Sequence, residues 1–270
     1  MVSYHNLIKA FRMIGLRRDI PVITHIGKEL PAKISGGLPT FMGALLSTVD
    51  NILLPAFTFS TMVVPQAGPA QNNLEYGNRD LLNLSAEIFS HTLPAESGNQ
   101  DAIEILKEFP GVYRSSHPIF SFYGLGLDIA LLNHTPDSPY RPIEEMHKLG
   151  GWVLLADAET KDNFSIHYAE MLAGRKQFIR WALTADGVAA CPYFPGCPDG
   201  FHKLDFYLHD EVRKAQVEDL ALSAVPLATL ISTCVALLEE DPFALLCNDL
   251  QCKRCNLVRE DVRTQISSHK

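Results

Sequence analysis

Apolar positions along the chain follow two spacings. In "YHNLIKAFRMIGL" they recur three to four residues apart, the period of an amphipathic helix, which Gly15 closes. "DIPVITHIG" is a short continuous apolar run and reads as a buried strand. The pair repeats: "SGGLPTFMGALLSTV" predicts a glycine turn opening a helix, with Pro39 tolerated in its first turn, and "NILLPAFTF" predicts a second buried strand. Residues 60–80, rich in Pro, Gly and Asn, predict a loop. "LLNLSAEIFSHTL" and "NQDAIEILKEF" have helical spacing, and Pro110-Gly111 closes the second. "GVYRSSHPIFSFYGLG" reads as strand and turn leading into "LDIALLN", "SPYRPIEEMHKL" as a helix and "GGWVLLADA" as a buried strand. "HYAEMLAGRKQ" predicts another helix, and in "FIRWALTADGVAACPYF" Asp186-Gly187 joins two strands into a hairpin. "KAQVEDLALSAVPLATLISTCVALLEEDPFALL" predicts mostly helix, broken near Pro226 and closed at Pro242.

Strands alternating with helices predict an α/β fold, a mixed central sheet flanked by helices, with the hairpin supplying the antiparallel part. No repeat, low-complexity tract or linker interrupts the pattern, so residues 1–270 are expected to form a single domain.

Composition narrows the partners. Hydrophobic residues are 47% and charged residues 20% of the 270, a globular balance. The net charge of -8 repels phosphate backbones, which argues against nucleic acid and suits a neutral or cationic small molecule. No apolar run reaches the length of a membrane span, so no membrane association is expected. The N-terminus has Lys9, Arg12, Arg17 and Arg18 where a signal peptide needs an apolar core. The six cysteines all fall from Cys191 onward, unlike a disulfide scaffold, and predict a cytoplasmic protein with reduced thiols.

Four short stretches carry candidate chemistry. In "DNFSIHYAE", His167 and Glu170 are three residues apart, on one helix face just after a buried strand. A carboxylate beside a histidine fixes the ring's tautomer and balances its charge, the usual general-base arrangement, although the spacing also serves an ordinary surface pair. "RSSHP" gathers Arg114, Ser115, Ser116 and His117, groups suited to phosphate and hydrogen bonding but also to a plain polar loop. Ser35, Gly36 and Gly37 open a predicted helix, where backbone N–H groups can approach an anion, but they lack the spacing of a nucleotide fingerprint. In "CNDLQCKRC", Cys252 and Cys255 have zinc-knuckle spacing. Cys247 adds a third ligand, and Cys197 in "PGCPDGF", Cys191 or His202 a fourth after folding. Zinc would then stabilise the segment 242–256, and free thiols near a tail are the alternative.

Taken in order, "SGGLPTFMGALL", "ILLPAFTF", "FPGVYRSSHPIFSFYGLG", "SPYRPIEEMHKLGGWVLLADAETKDNFSIHYAE" and "PGCPDGFHKL" resemble the aminoglycoside 3-N-acetyltransferase, or antibiotic acetyltransferase, family over most of residues 20–210. Arg-x-x-His-Pro followed by His-x-x-Glu is the most specific part. The resemblance implies the antibiotic acetyltransferase-like fold and transfer of an acetyl group from acetyl-CoA to an amine of an aminoglycoside or related amino sugar, an antibiotic-resistance activity. It implies His167 and Glu170 as the catalytic dyad, Ser165 as a hydroxyl close to the thioester, and a coenzyme site formed by Ser35, Gly36, Gly37, Arg114, Ser115, Ser116 and His117. Acceptor specificity is expected in loops such as 60–80 and 92–100. Two places depart from the family's pattern. "ITHIGKEL" lacks the serines of its first-strand His-Ser-Ser run, and Asn163-Phe164-Ser165 stands where it has Asn-Thr-Ser or Asn-Thr-Thr. The GNAT fold is set aside, since "SFYGLG" has Ser121 where its coenzyme motif needs Gln or Arg. Two other functions compete: a metal-dependent hydrolase with His117, His167 and Glu170 as ligands, and a non-catalytic relative that binds coenzyme A or a metabolite.

Overall fold

The computed structural model describes residues 1–77, 83–96, 98–131 and 133–268. Helix α1, Tyr4–Met13, starts where the Ser3 hydroxyl accepts from the Asn6 N–H and buries Leu7, Ala10 and Phe11. Strand β1, Val22–Ile26, is central, between two parallel neighbours, and buried on both faces, Thr24 and His25 included. These are β2, Ile52–Pro55, and β6, Trp152–Ala156. Antiparallel strands extend the sheet on both sides. β5, Phe122–Leu125, and β4, Val112–Arg114, lie beyond β2, while β10, Leu220–Pro226, and β9, Arg213–Val217, lie beyond β6. The order is β4-β5-β2-β1-β6-β10-β9, a mixed seven-stranded sheet.

Helices cover both faces, each over its own apolar cluster. One face carries α1, α2 (Gly37–Leu46) and α3 (Gln100–Lys107), with Phe11 meeting Phe41 edge-on at 5.6 Å. The other carries α4 (Arg141–Lys148), α5 (Ser165–Leu172), α6 (Leu227–Glu240) and Cys255, Val258 and Val262 of α7 (Lys253–Ser268). The connection leaving β1 crosses one face through α2, and the connection leaving β6 runs to the other face through α5. The loops at the carboxyl ends of β1 and β6 therefore diverge, which is where open α/β sheets place their sites. Among the described residues, no helix is long and apolar enough to cross a membrane.

Three sequence expectations are corrected. The hairpin of β7, Phe178–Thr184, and β8, Gly187–Phe194, does not enter the central sheet; it pairs with β3, Met62–Val63, in a separate three-stranded sheet. The sheet is mixed because of β4, β5, β9 and β10 instead. Residues 213–226, expected to be helical, form the β9–β10 hairpin, with Glu218 at its turn (φ 53°). The helix expected over 81–93 is absent from 86–93, and Leu81 and Leu82 lie outside the described residues. There the backbone bonds to distant partners, Glu87 N–H to Ser60 O (2.9 Å) and Phe89 N–H to Leu183 O (2.9 Å).

Gly27 closes the carboxyl end of β1 onto β6, its N–H donating to Ala156 O at 2.8 Å. A Cβ there would stand 1.7 Å from the Asp157 carbonyl oxygen, so only glycine allows the approach. Gly27→Ala is expected to lower unfolding stability by about 1–3 kcal/mol, read as a lower denaturant midpoint at unchanged m-value.

Candidate active site

The loop leaving β6 turns through Thr160–Asp162, closed by a reciprocal capping box between Glu159 and Asp162. The Asn163 side chain then accepts from the Ser165 N–H (3.1 Å), and α5 begins. Offsets of three on α5 bring His167 Nδ1 to 2.7 Å from Glu170 Oε2, both side chains nearly buried. A carboxylate oxygen can only accept, so the Nδ1 proton points at Glu170 and the Nε2 lone pair is left unshared. No described residue hydrogen-bonds to Nε2.

Glu170 has a second partner. Helix α5 ends in a Schellman turn: Gly174 adopts φ 74°, its N–H donates to Met171 O (3.0 Å), and Arg175 N–H donates to Glu170 O (3.0 Å). The reversal brings Arg175 back along its own helix, and its Nη1 donates to Glu170 Oε1 at 2.8 Å. Sequence reasoning missed Arg175. The glycine two residues beyond the end of the helix, followed by a cation, is the signal that marks it.

Phe164 packs where the family pattern has threonine. Its ring contacts Phe57 (4.7 Å between centroids), Phe120 (4.9 Å), Tyr140 (5.6 Å) and His167 (5.6 Å). Phe201 covers the imidazole from another side at 4.7 Å. The Ser165 hydroxyl is buried and finds no hydrogen-bond partner among the described residues. The same holds for His25 Nε2 at the end of β1.

The "RSSHP" segment divides into a buried scaffold and one exposed hydroxyl. Arg114 donates to Ser121 Oγ (3.0 Å), Ala56 O (3.1 Å) and the carbonyls of Ser90, His91 and Leu93, and lies over the rings of Phe89 and Tyr123. Ser115 Oγ accepts from Phe122 N–H (2.8 Å) and meets His134 Nδ1 (2.8 Å), while His134 Nε2 meets Pro139 O (3.1 Å). A carbonyl needs a donor, so His134 carries its proton on Nε2 and takes the Ser115 O–H on Nδ1. His117 Nδ1 accepts two backbone N–H groups, from Ile119 (3.1 Å) and Phe120 (3.0 Å). Ser116 is exposed, 3.2 Å from His91 Nε2. Ser35 and Gly36 are also exposed, and Gly36 and Gly37 have φ of 80° and 62° at the mouth of α2.

Cys197, Cys247, Cys252 and Cys255 place their sulfurs within 4.8 Å of one another, all as free thiols. No other group of three or more metal-ligating side chains occurs among the described residues, so His117, His167 and Glu170 do not assemble the centre a metal-dependent hydrolase requires. Cys191 and His202 stay outside the four-sulfur cluster. A cavity of 1020 Å³ lies beside the dyad's elements rather than on it. It reaches Asn163 and His202, neighbours of the two phenylalanines that bracket His167, and its rim carries Glu159, Asp199 and Asp205.

The family model described as aminoglycoside 3-N-acetyltransferase matches residues 31–239. The chain belongs to this family. Aminoglycoside N(3)-acetyltransferase IX of Micromonospora chalcea is 30% identical over 181 residues, covering 62% of this chain and 62% of that protein. The chain thus spans about three fifths of that relative's length. Among solved structures, the YokD protein of Bacillus subtilis superposes with TM-score 0.74 at 16% identity, over 88% of this chain and 94% of that one. An AAC-IIIb enzyme solved as a binary complex with CoASH gives 0.69 at 19%, over 88% and 97%. These likenesses establish the antibiotic acetyltransferase-like fold.

Burial holds three histidines of this family member neutral. It pushes His25 down to about 4 and His117 to about 3, and it lowers His134 well below its ordinary value, helped by the neighbouring His117. The unfolded chain takes up these protons near 6.5 and the native state does not, so stability is full above that pH and is lost as pH falls toward 4 and 3. Each histidine contributes up to about 1.4 kcal/mol per pH unit across its window. Urea unfolding at a series of pH values checks this, and His117→Asn, which keeps an acceptor near Nδ1, is expected to flatten the slope.

Proposed function

We propose that the protein is a cytoplasmic acyltransferase that moves the acetyl group of acetyl-CoA to an amine of an aminoglycoside or related amino sugar. Family membership supports the reaction class, and one observation carries the chemistry: the 2.7 Å contact that fixes a proton on His167 Nδ1 and leaves Nε2 free to act as a base. An amine is protonated at neutral pH and is no nucleophile until it loses that proton. That first proton goes to solvent; His167 Nε2 then takes a second one from the neutral amine as its nitrogen forms the C–N bond to the thioester carbon, and Glu170 balances the imidazolium that results. The Ser165 hydroxyl, buried without a partner, donates to the developing oxyanion. Collapse of the tetrahedral intermediate breaks the C–S bond, and His167 returns its proton to the leaving thiolate. No covalent enzyme intermediate is involved.

Ser35, Gly36, Gly37 and Ser116 border the coenzyme in this reading, and Arg114, Ser115 and His117 form the rigid floor behind them. The carboxylates of Glu159, Asp199 and Asp205 on the neighbouring cavity suit a cationic acceptor, as does the net charge of -8. The cysteine cluster holds a structural zinc ion. A tetrahedron of thiolates at ~2.3 Å has sulfurs ~3.8 Å apart, which falls within the 4.8 Å limit that Cys197, Cys247, Cys252 and Cys255 keep, and such an ion would fix the segment 242–256.

Incubation with acetyl-CoA and an aminoglycoside panel is expected to release free thiol, and His167→Ala to lower kcat by about 100- to 10,000-fold. Coenzyme A binding by calorimetry without thiol release from any amine would identify a non-catalytic relative instead. Metal analysis is expected to give about one zinc per chain, absent from the Cys252→Ser, Cys255→Ser double variant. Metal-free protein of unchanged stability would refute the zinc assignment.

A further inference from the structure

The cysteine cluster and the dyad are joined by an unbroken set of contacts. Three chain segments meet at the four sulfurs, around Cys197, Cys247 and the Cys252–Cys255 turn. They are cross-tied: Arg254 Nη1 donates to Gly196 O (2.9 Å), Lys203 Nζ to Leu246 O (2.6 Å) and Arg259 Nη2 to Cys247 O (2.6 Å). Gly200 lies against the same strip of backbone, where a Cβ would stand 2.2 Å from the Leu245 carbonyl oxygen. From this assembly two groups reach the dyad. Phe201, next to Gly200, lays its ring on His167 at 4.7 Å. Arg175 donates Nη2 to Pro242 O (2.8 Å) and Ala244 O (2.6 Å) while Nη1 holds Glu170 Oε1 (2.8 Å). The guanidinium is thus a planar bridge between the catalytic carboxylate and the segment that leads into Cys247.

We infer that metal occupancy of the four-cysteine site sets the geometry of the His167–Glu170 dyad, with Arg175 as the positioning residue that transmits it. The inference rests on the zinc and acyl-transfer readings above. Its physical basis is that a guanidinium fork has fixed geometry, so the carboxylate it holds follows the carbonyls it is anchored to. Those carbonyls belong to a short segment between the end of α6 and Cys247. Four adjacent thiols without an ion are held together only by weak S–H···S hydrogen bonds, whereas one ion bonded to all four fixes them, and with them that segment.

The test uses the full chain, stripped with a chelator and reloaded with zinc, with metal content measured in each state. The imidazole ¹⁵N–¹H signals of His167, assigned with His167→Gln, report ring placement without turnover. Zinc removal is expected to shift those signals and to lower kcat by about 100-fold, with the KM for acetyl-CoA changing less than about two-fold. Zinc-loaded Arg175→Ala is expected to reproduce both changes, Arg175→Lys to recover part of them, and zinc removal from Arg175→Ala to add little. Full multiplication of the two losses, or zinc removal that leaves the His167 signals in place, overturns the coupling while leaving the zinc site intact. If the stripped chain unfolds, the zinc-loaded arginine variants decide alone: a folded Arg175→Ala with unmoved His167 signals overturns it. A chain that binds no zinc overturns the coupling together with the metal assignment. Zinc-dependent His167 signals in a protein that acetylates no amine support the coupling and overturn acyl transfer.

Discussion

Glu170 is a carboxylate taken almost wholly out of water, at 2% exposure, and that desolvation has to be offset by donors. Two are available, and each occupies a different oxygen: the His167 ring on Oε2 and the Arg175 guanidinium on Oε1. The first contact follows from the helical offset. The second needs the helix to end where it does, because only a left-handed residue at Gly174 returns the next side chain to the carboxylate. Arg175 is itself nearly buried and needs acceptors for its remaining donors, which Pro242 and Ala244 supply. The buried charge therefore recruits a helix terminus and a distant chain segment, the one that leads into Cys247 of the four-cysteine cluster.

The "RSSHP" stretch shows how a motif is built for rigidity. Arg114 directs its guanidinium to five acceptors, four of them backbone carbonyls from segments that form no regular structure with one another. Removing it would take a donor from all of them, although His91 O would keep the Tyr123 hydroxyl and Ala56 O the Ser121 hydroxyl. Ser115, His134 and His117 continue the pattern: backbone partners hold the Ser115 hydroxyl and fix the tautomers of the two neutral histidines. What reaches the surface from this framework is the Ser116 hydroxyl. A fixed charge and three neutral polar groups thus hold one hydroxyl and a neighbouring aromatic ring in place.

Most of the central sheet and the helices that flank it were legible because buried parallel strands and amphipathic helices have distinct spacings. The β9–β10 hairpin was not. Lys214, Ala215, Gln216, Leu220, Ala221 and Leu222 alternate between exposed and buried, but they are helix-favouring residue types, and the pairing of β9 with β10 and of β10 with β6 overrides that preference. Residues 86–93 fail for the opposite reason. Their apolar spacing suggests a helix, yet Ile88 is 57% exposed and the carbonyls are claimed by Arg114 and Tyr123. The cysteine grouping could be anticipated, since C-x-x-C spacing restricts its partners to the few thiols the chain has. Arg175 could not be weighted, because nothing short of the fold reveals which carbonyls lie beyond it.

The two departures from the family pattern fall on the same side of the sheet, and together they concentrate the polar chemistry. A ring at position 164 meets Phe57, Phe120 and Tyr140 and so joins the chain after β2, the turn after His117 and α4 in one aromatic cluster. A threonine there would offer a hydroxyl to a bound thioester, but it would leave that junction underfilled. On β1, His25 stands where serines would supply further donors, and burial keeps it neutral. At the start of α5 this leaves the Ser165 hydroxyl, buried and unpaired among the described residues, as the side-chain donor two positions from His167. An unpaired buried hydroxyl is costly in an empty site and becomes useful when an oxyanion forms beside it. The aromatic substitution thus trades one hydroxyl for packing, and under the proposed acyl transfer it would leave the chemistry to a single serine, a single histidine and the buried carboxylate behind it.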